Sequence, residues 1–362
     1  MTVAVQQPQP CHYVFTIHLE ARAIHPVRDA VIQEVQREAT IAGFRKGKAP
    51  KELVEQHHPA AIREETLRRL TRQVVEQVAT DRKLKPVGPF EVTRVEFDEA
   101  KGMQLEAQVE VEPEFALGEY RHIPLKQSPL TVTPTEVGAA LARLQESMAQ
   151  LVPAGQGEAK EKRLPALDDE FAKDMGHETL SHLKSHLEAT LREQKQAQHQ
   201  QALEGQLCEA LLARHQFDLP QRLVGRQTER LKNEFQARLV LAGTTEEQAQ
   251  QELAKYEAQV HDNAARHVKL AFILERIAHT EHLSVTQDEV VDRLWKLSQR
   301  IGKDPAEVRR TLDAKGLWPS VLSSILQDKT MKFLMDAAQM TEQASPVTPA
   351  RPSDREPGRA GH

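Results

Sequence analysis

Four groups of residues in this sequence have types and spacings that could do chemistry. Gly43-Phe44-Arg45-Lys46-Gly47-Lys48-Ala49-Pro50 sets three cations and an aromatic ring among two glycines, and Gly43-x-x-x-Gly47-Lys48 has the outline of a phosphate cradle. His182 and His186 stand four residues apart with His177 nearby, a spacing that can turn two imidazoles toward one metal ion from a helix face. His57-His58 and His279 with His282 raise the same question more weakly, and Cys11 and Cys208 are the chain's two thiols. The phosphate cradle fails on spacing. A P-loop places four residues between its glycines and a Ser or Thr after the Lys to hold magnesium. Here three residues intervene, Ala49 follows Lys48, and no buried apolar strand precedes Gly43. Nucleotide binding is excluded.

The histidines fare little better. No carboxylate or cysteine completes a ligand set in register, and polar positions on a long helix account for them, so no metal is assigned. There is no Gly-x-Ser-x-Gly elbow and no His-Glu-x-x-His, and Cys208 sits in an apolar helical stripe as a core residue would. No catalytic residue and no cofactor follows from these residues. What survives is the loop itself. From Ala39 to Lys51 there are four cations and no carboxylate, in a chain of formal net charge -5. Two glycines and a proline argue against helix there. An exposed aromatic ring between flexible glycines and clustered cations suits docking onto phosphate-rich RNA and the protein around it.

The elements that must present this loop are legible on either side. Residues 11–20 alternate as a strand, with Tyr13, Phe15, Ile17 and Leu19 on one face. A helix follows, with Pro26 expected near its first turn and Val27, Ala30, Val31 and Val35 as its apolar stripe. After the loop, Pro50 opens a short helix, and a longer one carries Ile62, Leu67, Leu70, Val74 and Val78. Two strands joined by a turn at Asp98–Gly102 complete an α+β domain. A strand-like stretch over Ile123–Leu130 then precedes Thr133-Pro134-Thr135-Glu136, a capping box opening a helix to about Met148. Val152–Arg163 reads as linker. From Leu164 the pattern is nearly all helix: one helix from Thr179 to Arg214, about 54 Å long at roughly 1.5 Å per residue, then others opened by Pro220, Thr245, Thr286 and Asp304-Pro305. Met331, Met335 and Met340 fall on the last helix and fit core packing better than an adaptable binding face. Beyond Gln343 the prolines and the scarcity of apolar residues predict disorder.

At 362 residues, two or three domains are expected, and with aromatics at 4% the cores must be built from aliphatic side chains. No apolar run approaches the roughly 18 residues of a membrane helix, and Gln6-Gln7-Pro8-Gln9-Pro10 is no secretory leader, so the cytoplasm is the expected compartment.

Gly43-Phe44-Arg45-Lys46-Gly47 resembles the ribosome-docking loop of trigger factor, the bacterial chaperone of the nascent-chain exit, and Leu164–Ala172 resembles the opening of its C-terminal region. The resemblance spans roughly residues 10–343. It implies an α+β N-terminal ribosome-binding domain over residues 1–120, a bridge over 121–163, a mostly α-helical, elongated C-terminal chaperone body over 164–343 and a tail over 344–362. It implies that Gly43, Phe44, Arg45, Lys46, Gly47, Lys48 and Pro50 bind the ribosome. The implied partners are the large ribosomal subunit, protein and RNA alike, unfolded nascent polypeptides, and a second copy as a homodimer off the ribosome. No membrane partner is implied. Two other readings compete: a holding chaperone of the related periplasmic type, against which the basic loop and missing leader argue, and a helical scaffold. The family's usual FKBP-type prolyl isomerase domain, on the order of 100 residues, has no room between Met148 and Leu164. This form is expected to lack it.

Overall fold

The computed structural model describes residues 1–127, 129–153 and 160–342; the expected tail at 344–362 and the middle of the expected linker, 154–159, lie outside the described residues. In chain order come β1 (Thr2–Gln9), β2 (His12–Leu19), α1 (Ala21–Glu38), α2 (Lys51–His57), α3 (Pro59–Asp81), β3 (Glu91–Asp98) and β4 (Gly102–Glu110). Next are β5 (Pro124–Gln127), α4 (Pro134–Ser147), β6 (Gln150–Pro153), β7 (Lys160–Arg163), α5 (Asp169–Asp174) and α6 (Leu180–Arg214). Helices α7 (Gln221–Leu241), α8 (Glu246–Lys255), α9 (Glu257–Thr280), α10 (Gln287–Ile301), α11 (Pro305–Lys315) and α12 (Trp318–Asp336) lead to β8 (Gln339–Glu342). This is the α+β head followed by helices that the sequence predicts. The chain divides into two compact units, each discontinuous: Met1–Gly118 with Leu212–Thr330, and Glu119–Leu211 with the segment from Met331.

In the first unit an antiparallel sheet runs in the order β1-β2-β4-β3. Alternation sends Phe15, Ile17 and Leu19 of β2, and Met103, Leu105, Ala107 and Val109 of β4, onto one face. That face packs against Ile24 of α1 and Leu70, Val74 and Val78 of α3. The turn between β3 and β4 is pinned by Asp98, whose carboxylate accepts from the backbone N–H groups of Ala100 and Lys101 at 2.9 and 3.0 Å. Two readings need correction here. β1 was not expected, because Gln and Pro dominate its second half. A short turn at Cys11, whose φ is 60°, folds it back on β2, and Pro8 is tolerated because β1 is an edge strand with no outer ladder to supply. Pro26 lies inside α1 rather than in its first turn, since the helix begins at Ala21. Val31 is buried as expected, joined by Ile24 and Ile32, which the expected stripe left out, while Ala30 is exposed.

The same unit joins the sheet to distant helices through one buried carboxylate. Glu110, at the end of β4, is 6% exposed, and its two oxygens accept from the backbone N–H groups of Arg222 and Leu223 at 2.7 and 3.0 Å. These are first-turn donors of α7, whose N-cap is Pro220 and which has no side-chain cap of its own. Around this contact Arg226 donates to the Val87 carbonyl at 3.1 Å, and its guanidinium would lie 2.8 Å from a Cβ on Gly88. Farther along, Tyr256 ends α8, so the helix expected to run on from Thr245 is broken in two before α9.

In the second unit Thr133 and Glu136 close the expected capping box of α4, and Glu136 also takes a 2.8 Å bond from Lys195 of α6. Those donors, Lys195 first and then the Thr133 backbone, pull the Glu136 carboxyl down to about 2. Leu141, Phe171, Ala172 and Leu183 bind α4, α5 and α6 into a small core. Sheet pairing departs from expectation twice. β5 pairs in parallel with β8, which was read as helix, and the expected linker carries the antiparallel ribbon β6–β7.

Replacing Glu110 with Ala strands two half-buried N–H donors and removes a carboxylate from a helix N-terminus, which should lower stability by about 2–4 kcal/mol. Glu110→Gln, keeping shape but not charge, should fall between. Denaturant unfolding measures both, and amide exchange should accelerate at Arg222 and Leu223; unchanged exchange there would refute the cap.

Candidate ribosome-docking loop

Residues 39–50 connect α1 to α2, and both ends of the connection are buried. Ile41 is 6% exposed and Ala49 3%; they pack with Val31 and Ile32 of α1, Val54 of α2 and Ile62 of α3. Gln36 of α1 donates its amide to the Ala49 carbonyl at 2.6 Å, closing the base of the loop. The α2 end is held by Arg28 of α1, which donates to Glu55 at 3.0 Å; its Nε also lies 3.1 Å from a carboxylate oxygen of Glu99 in the β3–β4 turn, out of hydrogen-bonding alignment. Burial has a counter-effect on this guanidinium, but the two carboxylates raise its pKa overall.

Between these anchors the backbone makes two tight turns in tandem. The Phe44 N–H bonds to the Ile41 carbonyl at 3.1 Å, and the Lys48 N–H to the Arg45 carbonyl at 2.9 Å. The third residue of each turn is a glycine with left-handed φ, +88° at Gly43 and +79° at Gly47. A turn with positive φ at that position is type II in character, and it selects glycine. The four-residue glycine spacing is therefore the period of two successive turns. Gly47 also passes α1 closely: a Cβ there would lie 3.5 Å from the Arg37 carbonyl oxygen. A Cβ on Gly43 would meet nothing within 4 Å.

The turns display what lies between the glycines. Phe44 is 41% exposed, and Arg45, Lys46, Lys48 and Pro50 are exposed as well. Among the described residues, no carboxylate pairs with Arg45, Lys46 or Lys48, whereas Arg68 and Arg69 of α3 are neutralised by Glu65. The loop can thus offer one apolar ring and several unengaged donors to a partner, with no ion pair to break first. It has no buried polar group and no enclosing wall that would serve catalysis.

The other candidate residues do not assemble into a site. The His177 and His186 rings lie tilted with centroids 4.8 Å apart, but among the described residues no three His, Cys, Asp or Glu side chains come close enough to hold a metal. Cys11 is buried against the Asp218 carbonyl and Cys208 is half-buried. Met331 and Met335 are half-buried on α12, while Met340 lies exposed on β8 rather than on the helix. The methionine reading missed a different apolar set: Leu241 at the end of α7 is 87% exposed, and Val291, Trp295 and Ile301 on α10 are more than half exposed. The signal available was Trp295, a large apolar residue on the charged side of the α10 pattern.

Comparison with known proteins bears on the whole chain. The family model of bacterial trigger factor protein matches residues 1–144, and the model of the C-terminus of bacterial trigger factor protein matches residues 179–336. The trigger factor of Geobacillus kaustophilus (strain HTA426) is 25% identical over 416 residues, covering 90% of this chain and 96% of that protein. The trigger factor of Brevibacillus brevis (strain 47) is 24% identical, covering 91% and 97%. Since 90% of 362 residues falls about 90 short of 416, roughly 90 positions of the first alignment hold no residue of this chain. A solved structure described as "Promiscuous Substrate Recognition in Folding and Assembly Activities of the Trigger Factor Chaperone" superposes with a TM-score of 0.52 at 20% identity, over 93% of this chain and 99% of that one, a likeness of fold.

Glycine at the third turn position can be tested by handedness. Gly43→Ala should lower stability by about 1–2 kcal/mol, because an L-residue resists left-handed φ, with no clash to add. A D-alanine placed at the same position by semisynthesis should restore or exceed the starting stability. Equal unfolding midpoints for the L and D forms would contradict the turn geometry.

Proposed function

The chain belongs to the bacterial trigger factor family, and from that premise we propose that it is an ATP-independent chaperone, in a form without the FKBP-type isomerase domain, that docks on the ribosome and shields newly made polypeptides. The observation that carries the docking is the loop: two glycine turns on a buried base, displaying Phe44, Arg45 and Lys46 with no competing carboxylate. Phe44 would fill an apolar contact on ribosomal protein, and Arg45, Lys46 and Lys48 would pair with RNA phosphates or acidic groups of the large subunit near the nascent-chain exit. Gly43, Gly47 and Pro50 complete the docking loop, the glycines by shaping its two turns.

Holding belongs to the helices. Large apolar side chains stand exposed in small groups, Val240 with Leu241 at the end of α7 and Val291 with Trp295 one turn apart on α10, a surface suited to weak, sequence-tolerant contact that releases without nucleotide. Among the described residues no helix is long and apolar enough to cross a membrane, and on this reading the protein works in the cytoplasm. We infer that it is not an enzyme. Residues 145–178, between the two family matches, hold the β6–β7 ribbon and α5 among the described residues, too little chain to bury the core of an isomerase domain.

Replacing Phe44, Arg45 and Lys46 together by Ala should abolish cosedimentation with salt-washed ribosomes while leaving the circular dichroism spectrum unchanged, and rising salt should weaken wild-type binding. A triple variant that still pellets, or binding indifferent to salt, would sink the docking assignment.

The inference about enzymatic activity has its own assay. In refolding of a protein limited by prolyl isomerisation, the intact chain should accelerate the slow phase no more than an inert protein does. Catalytic acceleration at substoichiometric amounts would overturn it.

A further inference from the structure

The sheet of the first unit ends on β1, and its two edges differ in character. β3, on the far side, carries Glu91, Arg94, Glu96 and Asp98, the charges with which natural sheets discourage further pairing. β1, Thr-Val-Ala-Val-Gln-Gln-Pro-Gln, carries none. Its second half is blunted by Pro8 and by a register shift between Gln6 and Gln9. Its first half, Thr2–Gln6, runs in unbroken register opposite His18–Val14 of β2. An antiparallel strand spends only alternate residues on one neighbour, so every second residue of Thr2–Gln6 points its N–H and C=O away from β2. Among the described residues, β2 is the only strand paired with that segment. Val3 and Val5 are half-buried at the rim of the core, so a further strand with apolar residues at alternate positions would extend the core over them.

We propose that the Thr2–Gln6 edge captures extended, unfolded polypeptide by backbone pairing, adding a fifth strand to the sheet. A second copy of this chain fits less well. A five-residue pairing is about 17 Å long, and one strand of that length covers far less than the roughly 800 Å² per partner of a stable association. The area suits a transient guest. The absence of charge points the same way, because a neutral edge rejects neither acidic nor basic segments, and backbone pairing reads no side chains. The favoured guest is an unfolded segment with β-branched or apolar residues at every second position. This deepens the chaperone reading and rests on it for the identity of the guest; the capture mode is separate from the exposed side chains of α7 and α10.

The test titrates the intact chain with a fluorescein-labelled eight-residue peptide of alternating Thr and Val, and with the same peptide N-methylated at its four central amides, which removes donors from both of its edges. The unmodified peptide should bind at least tenfold more tightly, and it should slow amide exchange within Thr2–Gln6. The double variant Ala4→Lys, Gln6→Lys, at two exposed positions, should weaken binding of a version of the peptide carrying a terminal lysine. Equal binding of the two peptides, or protection confined to other segments, would overturn the proposal. Suppression of aggregation of an unfolded model protein is measured alongside. Suppression without preference for the unmodified peptide overturns edge capture and leaves the chaperone reading standing; failure of both overturns both.

Discussion

The first unit depends on one buried carboxylate. Glu110 is the last residue of β4, and its oxygens satisfy two backbone donors at the start of α7, more than a hundred residues later in the chain. Pro220, the N-cap residue, has no side-chain acceptor to offer, so α7 cannot cap itself. Burying those donors unpaired would be expensive, and burying Glu110 without them more so. Each group is tolerable only because the other is present. The neighbours pack around this junction: the Arg226 guanidinium lies against Gly88, and the Phe115 ring stacks on Phe217 at 4.1 Å under the guanidinium of Arg276. The head and residues 212–330 are therefore one folded unit, although residues 119–211, which belong to the other unit, separate them in the sequence.

Sequence reasoning reached what is encoded locally. Capping boxes at Thr133–Glu136 and Thr286–Glu289, and the N-cap at Asp304 before Pro305, are short-range signals, and each opens a helix where it was expected. The basic loop was legible for the same reason: charge, ring and glycines all lie within a few residues. What escaped was pairing. β8 becomes a strand because β5, over two hundred residues earlier, lies beside it, and neither Gln339-Met340-Thr341-Glu342 nor its neighbours say so. β1 escaped because Gln-Gln-Pro-Gln shows no strand alternation, and only a hairpin turn and an edge position excuse its proline. Residues 154–159 and 344–362 lie outside the described residues, so the readings made for them stay as expectations.

The loop shows why a pattern can be specific where composition is not. Four cations near a turn occur on many soluble proteins. Glycines at the third positions of two consecutive turns, with an aromatic residue closing the first and an arginine opening the second, are a geometric requirement. Each turn closes its own hydrogen bond, so the side chains are displayed on a short projection whose base is fixed by Ile41, Ala49 and Gln36. A fixed base matters for a contact carried by few residues, because less conformational entropy is lost on docking.

Weak holding sets the opposite demand on the rest of the molecule. A contiguous apolar face would retain clients or draw copies of the chain together, whereas small patches such as Val240 with Leu241 and Val291 with Trp295 each contribute little. Their combined effect grows only when one flexible client reaches several at once, since each further contact is then intramolecular. A client that begins to fold buries its own apolar residues and loses those contacts one at a time. On the proposed function, release is driven by the client's folding, which removes the need for a nucleotide site, and the loop that fixes the chaperone at the exit supplies the high local concentration that such weak contacts require.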